Sequence, residues 1–178
     1  MKKLKLDELG RISVDAFKRA PKLPAVIILD NVRSLHNVGS AFRTCDAFKF
    51  ERIYLTGITG KPPHRDIEKT ALGATVSVDW EYAERTSDLL YKLKQEGYII
   101  IVIEQTSQSK SLHLFDPEAE KKYCLVFGNE VHGVSEEAIA LADHAIEIPQ
   151  HGTKHSLNIS VCLGIVAWEF FKKLTIET

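Results

Sequence analysis

The chain has 178 residues, 44% of them hydrophobic, and its 23 Lys+Arg against 24 Asp+Glu leave a net charge of −1. A length of this order fits one globular domain burying roughly 70% of its unfolded surface, which excludes dependence on disulfides or a structural metal for a core. The three cysteines, Cys45, Cys124 and Cys162, form no CxxC pair and sit beside apolar residues, and no apolar run approaches a bilayer span; a reducing cytoplasm is the expected location, with no membrane association.

Residues 1–24 read as a short basic arm carrying Lys2, Lys3, Lys5, Arg11, Lys18, Arg19 and Lys22, and residues 25–178 as one domain. Residues 1–69 hold 14 basic and 8 acidic side chains, and the excess reverses after residue 69, so a basic face for a polyanionic partner is compatible with the overall pI of about 6.7. Beyond the arm, strands are expected at Ala25–Asp30, Arg52–Leu55, Val76–Val78, Ile99–Glu104, Cys124–Phe127 and Ala145–Ile148. Helices are expected at Val38–Ala47, His64–Leu72, Ser87–Glu96, Ser135–Leu141 and Ser156–Leu174. Runs such as Ala25–Leu29 and Ile99–Ile103 are apolar on both faces and rich in β-branched residues, as in the central strands of a parallel sheet covered by helices. The class is therefore α/β, with ligands expected at the C-terminal strand ends.

Polar loops follow those ends. The first strand runs into Asp30–Arg43, with Asn37 and Arg43 on the opening helix; the fifth runs into Gly128–Ser135; the sixth runs into Pro149–Ser160, ahead of the last helix. Taken singly, Asn37 reads as a helix cap, Gly128 and Gly133 as turn residues, Glu130 as an acceptor for turn N–H groups, and Ser156 as the cap of the last helix. Together they outline a pocket. The GxGxxG and GxxxxGK[ST] patterns are both absent, which argues against the usual dinucleotide and ATP readings of such a sheet.

In combination these segments resemble the three motifs of the SpoU family, 2′-O-ribose RNA methyltransferases of the SPOUT superfamily. Asn37-x-Gly39 with Arg43 matches the first motif, and Phe127–Glu130 with Gly133 the second. Ile148-Pro149 with Ser156–Ser160 matches the third, where Gln150 stands in place of the family's usual Met. The resemblance implies an α/β domain whose C-terminal part is threaded as a deep trefoil knot, S-adenosylmethionine (SAM) as cofactor, and a homodimer. It implies that Gln105, Gly128, Ile148, Gln150 and Leu157 hold the cofactor. It assigns catalysis to Arg43, assisted by Asn37, Glu130, Ser156 and Asn158. The resemblance implies that Arg43 aids deprotonation of the 2′-hydroxyl together with the RNA phosphate, either taking the proton or, since arginine is normally protonated, only stabilising the alkoxide.

No metal is expected, because His151 and His155 lie in a Gly-containing loop without further ligands nearby. The RNA is expected to be tRNA, by the likeness of this compact architecture to tRNA-modifying members. An rRNA 2′-O-methyltransferase is the alternative, and a catalytically silent knotted RNA-binding protein is disfavoured by the presence of Arg43, Ser156 and Asn158. A bulky residue at Gly152 is expected to disturb its loop sterically. The last helix is apolar around almost its whole circumference, more than one packed face requires, which points to a two-fold dimer through it.

Overall fold

The computed structural model describes residues 1–175. Seven strands form one sheet: β1 Leu23–Asp30, β2 Phe50–Thr56, β3 Trp80–Ala83, β4 Tyr98–Ile103, β5 Lys110–Ser111, β6 Lys122–Phe127 and β7 His144–Glu147. Their spatial order is β3-β2-β1-β6-β4-β7-β5, and every pairing of named strands is parallel. The helices are α1 Val14–Arg19, α2 Leu35–Ala47, α3 Arg65–Ala71, α4 Ala74–Ser77, α5 Thr86–Gln95, α6 Glu136–Leu141 and α7 Ile159–Thr175.

The two-residue period of a strand divides the core into two layers. On β1, Ala25, Ile27 and Leu29 face one way, joined by Ile53 and Leu55 of β2, Ile101 and Ile103 of β4, and Tyr123, Leu125 and Phe127 of β6. The helices α1 to α4 and α7 cover this layer through Phe17, Phe42, Ile67, Ala74 and Phe170. Val26, Ile28, Ile100, Val102, Cys124 and Val126 face the other way, beneath Leu90 and Leu93 of α5 and Ala138 of α6. Strands buried on both faces have no polar positions to alternate, which is why their sequences read as continuous apolar runs.

Several local assignments depart from the sequence reading: β5 was not expected, and α2 begins at Leu35 with Ser34 as its cap, so Asn37 lies within the helix. Val76 and Ser77 belong to α4, with Val78 at its C-cap, and the third strand instead occupies Trp80–Ala83 at the sheet edge. Gly73, at φ 89°, opens α4 one residue after the left-handed Leu72 closes α3, so the chain makes a helical corner where β-branched composition suggested a strand. The last helix starts at Ile159: Ser156 lies in the preceding loop, and Asn158 Oδ1 accepts the Ser160 N–H as the capping interaction. The stretch read as an arm includes α1, whose Phe17 is buried in the core while residues 7–15 are exposed. Among the described residues no helix is long and apolar enough to cross a membrane.

Candidate active site

The ends of β4, β6 and β7 open into one crevice of about 540 Å³, closed on its remaining side by the approach to α7. All five residues expected to hold a cofactor, Gln105, Gly128, Ile148, Gln150 and Leu157, line it, together with Glu130, Ser156 and Asn158. Gln105 spans the mouth, its Nε2 donating to the His155 carbonyl at 2.9 Å. This bond ties the loop after β4 to the segment entering α7.

The 128–134 loop is held by its own backbone and by Asn129. Asn129 and Gly133 exchange N–H···O bonds of 2.9 Å in each direction, Asn129 Oδ1 accepts from Val131 and His132, and its Nδ2 donates to the Asn31 carbonyl at 2.7 Å. Gly128 sits against this turn so closely that a Cβ would overlap the Gly133 and Val134 backbone, and Gly133 adopts φ 69°. Glycine is thus required at both positions, at one for space and at the other for conformation. Opposite Gly133 stands Glu104, whose Oε2 accepts the Val134 N–H at 3.0 Å and whose Oε1 accepts the Gln105 N–H at 2.9 Å. Burial, with the charge of Glu104 adding to it, pushes the nearby Cys162 thiol up to about 11.

A hydrogen-bonded chain joins the three motifs. Asn158 Nδ2 donates to Asn37 Oδ1 at 3.3 Å, and Asn37 Nδ2 donates to Glu130 Oε1 at 3.0 Å. Glu130 also accepts the backbone N–H groups of Arg33 at 2.9 Å and Ser34 at 3.0 Å, just ahead of α2. Burial alone would raise the Glu130 carboxyl, but these donors outweigh it and hold the group below the ordinary carboxylate range. Glu130 therefore fastens the β6 loop to the start of α2, while Asn37, itself buried, bridges to α7.

Arg43 is placed differently. It is exposed on α2, does not line the crevice, and its side chain makes no hydrogen bond or ion pair among the described residues. Asn37 likewise stands behind the crevice wall, reaching it through Glu130 and Asn158. Two contributors were not singled out from the sequence. Asn129 was visible only as part of the second motif; Glu104 carried a signal of its own, an acid directly after five apolar residues at a strand end.

Gly152 corrects the steric expectation: a Cβ there meets nothing within 4 Å, and its φ lies outside the left-handed region. Gly152→Val is accordingly expected to change unfolding free energy by no more than about 0.5 kcal/mol in a denaturant titration. His151 and His155 are both exposed, and among the described residues no group of three or more His, Cys, Asp or Glu is arranged to hold a metal.

A parallel sheet with its crevice at the strand ends and Gly-bearing loops around it defines an α/β ligand-binding domain. The chain belongs to the SpoU rRNA Methylase family, whose profile matches residues 24–168. It is 34% identical over 148 residues to the tRNA (guanosine(18)-2′-O)-methyltransferase of Aquifex aeolicus, covering 81% of this chain and 67% of that protein. The crystal structure of the A. aeolicus TrmH/SpoU tRNA modifying enzyme superposes with a TM-score of 0.81 at 29% identity, over 92% of this chain and 81% of that one. The AdoMet-bound rRNA methyltransferase from Sinorhizobium meliloti gives 0.78 at 25% identity, over 88% and 62% respectively.

Proposed function

We propose that this protein transfers a methyl group from SAM to a ribose 2′-hydroxyl of RNA, with tRNA the substrate ahead of rRNA. The observation that carries the reading is the hydrogen-bonded chain Asn158–Asn37–Glu130, which draws all three family motifs to one crevice. The crevice suits the cofactor: about 540 Å³ lies within the range of small-molecule sites, and its lining sets the apolar Ile103, Ile146, Ile148 and Leu157 beside a few polar side chains. SAM, when bound, supplies a methyl group already activated by its sulfonium.

The chain's own residues have the remaining work. Gly128, Ile148, Gln150 and Leu157 hold the adenosyl part and Gln105 limits water access from the mouth. Glu130, Ser156 and Asn158 border the side where the acceptor ribose enters, and Asn37 orients two of them. Arg43, with no partner of its own among the described residues, offers a planar fork of donors to an RNA phosphate and to the alkoxide as the 2′-hydroxyl loses its proton.

We further infer that the C-terminal chain is threaded as the family's knot, that the protein works as a homodimer, and that it acts in the cytoplasm. Supporting the dimer, Leu163, Val166, Ala167 and Phe170 of α7 are buried against the sheet, while Val161, Ile165 and Trp168 form an exposed apolar stripe. The Trp168 ring packs at a tilt against Phe48 and Phe171, so the stripe continues onto the end of α2, the helix that carries Arg43. A second copy seated there would bring the acceptor ribose to Arg43 at the seam between subunits. Trp168→Glu is expected to convert the protein to a monomer and to reduce methyl transfer with it; light scattering at micromolar concentration reads the first, and a monomeric, fully active wild type would overturn the dimer.

RNA binding is expected to rest on the basic N-terminal third. Deleting residues 1–11 removes Lys2, Lys3, Lys5 and Arg11 but spares the Ser13 cap of α1 and the buried Phe17. RNA affinity should then fall by about tenfold with a shallower salt dependence, SAM affinity remaining unchanged. Incubation with labelled SAM and total tRNA or rRNA, followed by mapping of the modified nucleotide, tests the activity itself. Methyl incorporation into a base would overturn it.

A further inference from the structure

The geometry points to Glu104 as the residue that grips the ribose of the cofactor: we propose that its carboxylate accepts the 2′- and 3′-hydroxyls of the adenosyl group. The inference rests on the SAM reading of the crevice and deepens it.

Glu104 follows β4, and β4 lies between β6 and β7 in the sheet. On one side, its main-chain N–H donates to the Ile146 carbonyl of β7, the strand leading to Ile148. On the other, its side chain reaches Val134 and faces Gly133 in the loop after β6, the loop that carries Glu130. Glu104 thus lines the middle of the crevice, between Ile148 and Gln150 beyond β7 on one side and Glu130 in the loop after β6 on the other. In an adenosyl sulfonium the ribose is the group between the adenine and the sulfur.

The carboxylate is presented for such a contact. A carboxylate has about four acceptor positions, and here each oxygen spends one on a backbone N–H, Val134 at 3.0 Å and Gln105 at 2.9 Å. These two bonds fix the orientation of the group and leave each oxygen one position for a hydroxyl. A vicinal diol presents two donors, and a carboxylate two acceptors, with matching spacing. The two backbone bonds also hold the group in place before any ligand arrives, which lowers the ordering cost of binding.

The test is a thermodynamic cycle that changes the ligand and the residue in turn. Calorimetry would compare S-adenosylhomocysteine with its 2′-deoxy and 3′-deoxy analogues, on the wild type and on Glu104→Gln. In the wild type, each missing hydroxyl is expected to weaken binding by about tenfold, since each removes a hydrogen bond to a charged acceptor. In Glu104→Gln the penalty should shrink to below about threefold, because the amide retains one acceptor oxygen in place of two. Should Glu104→Gln melt early, Glu104→Asp, which withdraws the carboxylate by one methylene, takes its place in the same cycle. Deoxy analogues binding the wild type as tightly as the parent, or an undiminished penalty in the variant, would overturn the ribose contact. Failure of S-adenosylhomocysteine itself to bind the wild type would instead remove the cofactor reading.

Discussion

Arg43→Ala should lose at least about 10²-fold in single-turnover methyl transfer while its melting temperature and SAM affinity stay where they are. The separation follows from where the side chain stands. The Arg43 side chain is exposed on α2, outside the crevice lining and without a hydrogen bond or ion pair among the described residues, so its removal costs the resting protein no contact it was using. In the proposed mechanism its charge becomes paired only when RNA brings a phosphate and an incipient alkoxide. Arg43→Lys should recover little, because a single ammonium does not reproduce two parallel N–H donors. Single-turnover rates alongside calorimetry of SAM binding check both halves, and near-normal turnover by the alanine variant would remove Arg43 from the mechanism.

Gly128→Val should act through the opposite route, abolishing cofactor binding by spoiling the resting protein. The added carbon would occupy the space of the Gly133 and Val134 backbone, so the 128–134 loop must move away from β6. That displacement would open the paired bonds between Asn129 and Gly133 and pull Glu130 from the N–H groups of Arg33 and Ser34. Overpacking of this kind costs about 1–3 kcal/mol, which in a chain of this size corresponds to a melting point lower by several degrees. SAM affinity is expected to fall at least about 100-fold by calorimetry. Gly152→Val, in open space and outside the crevice lining, serves as the matched control.

The contrast between these glycines shows what was legible in the sequence. Apolar runs identified the central strands because burial on both faces leaves a continuous record, as in Ala25–Leu29 and Ile99–Ile103. The short edge strand Trp80–Ala83 left no such record, being only partly covered, and the β-branched Val76 drew the assignment a few residues too early. The motifs placed eight of the ten site residues on the crevice wall, but not Arg43 or Asn37, since a spacing pattern carries no information on which helix face turns toward a cavity. Glycines 128 and 152 look alike as letters; only the approach of another backbone separates them. Glu130 matched its more modest reading, a carboxylate collecting N–H groups, and that anchoring is what assembles the wall of the site.

The order of strands in the sheet bears on how the molecule is made. The centre of the sheet, between β1 and β4, is filled by β6, whose residues 122–127 come after both neighbours in the chain. A growing polypeptide therefore completes β1, β2 and β3 on one side and β4 on the other before the piece that unites them exists. Until residue 127 is available, the inner edges of β1 and β4 expose unpaired peptide groups on two of the most apolar segments of the protein. Closure of such distant pairings is slow compared with local helix formation, so newly synthesised chains pass through a period of vulnerability to self-association. The strand whose end carries Gly128 into the crevice is also the one that ends that period.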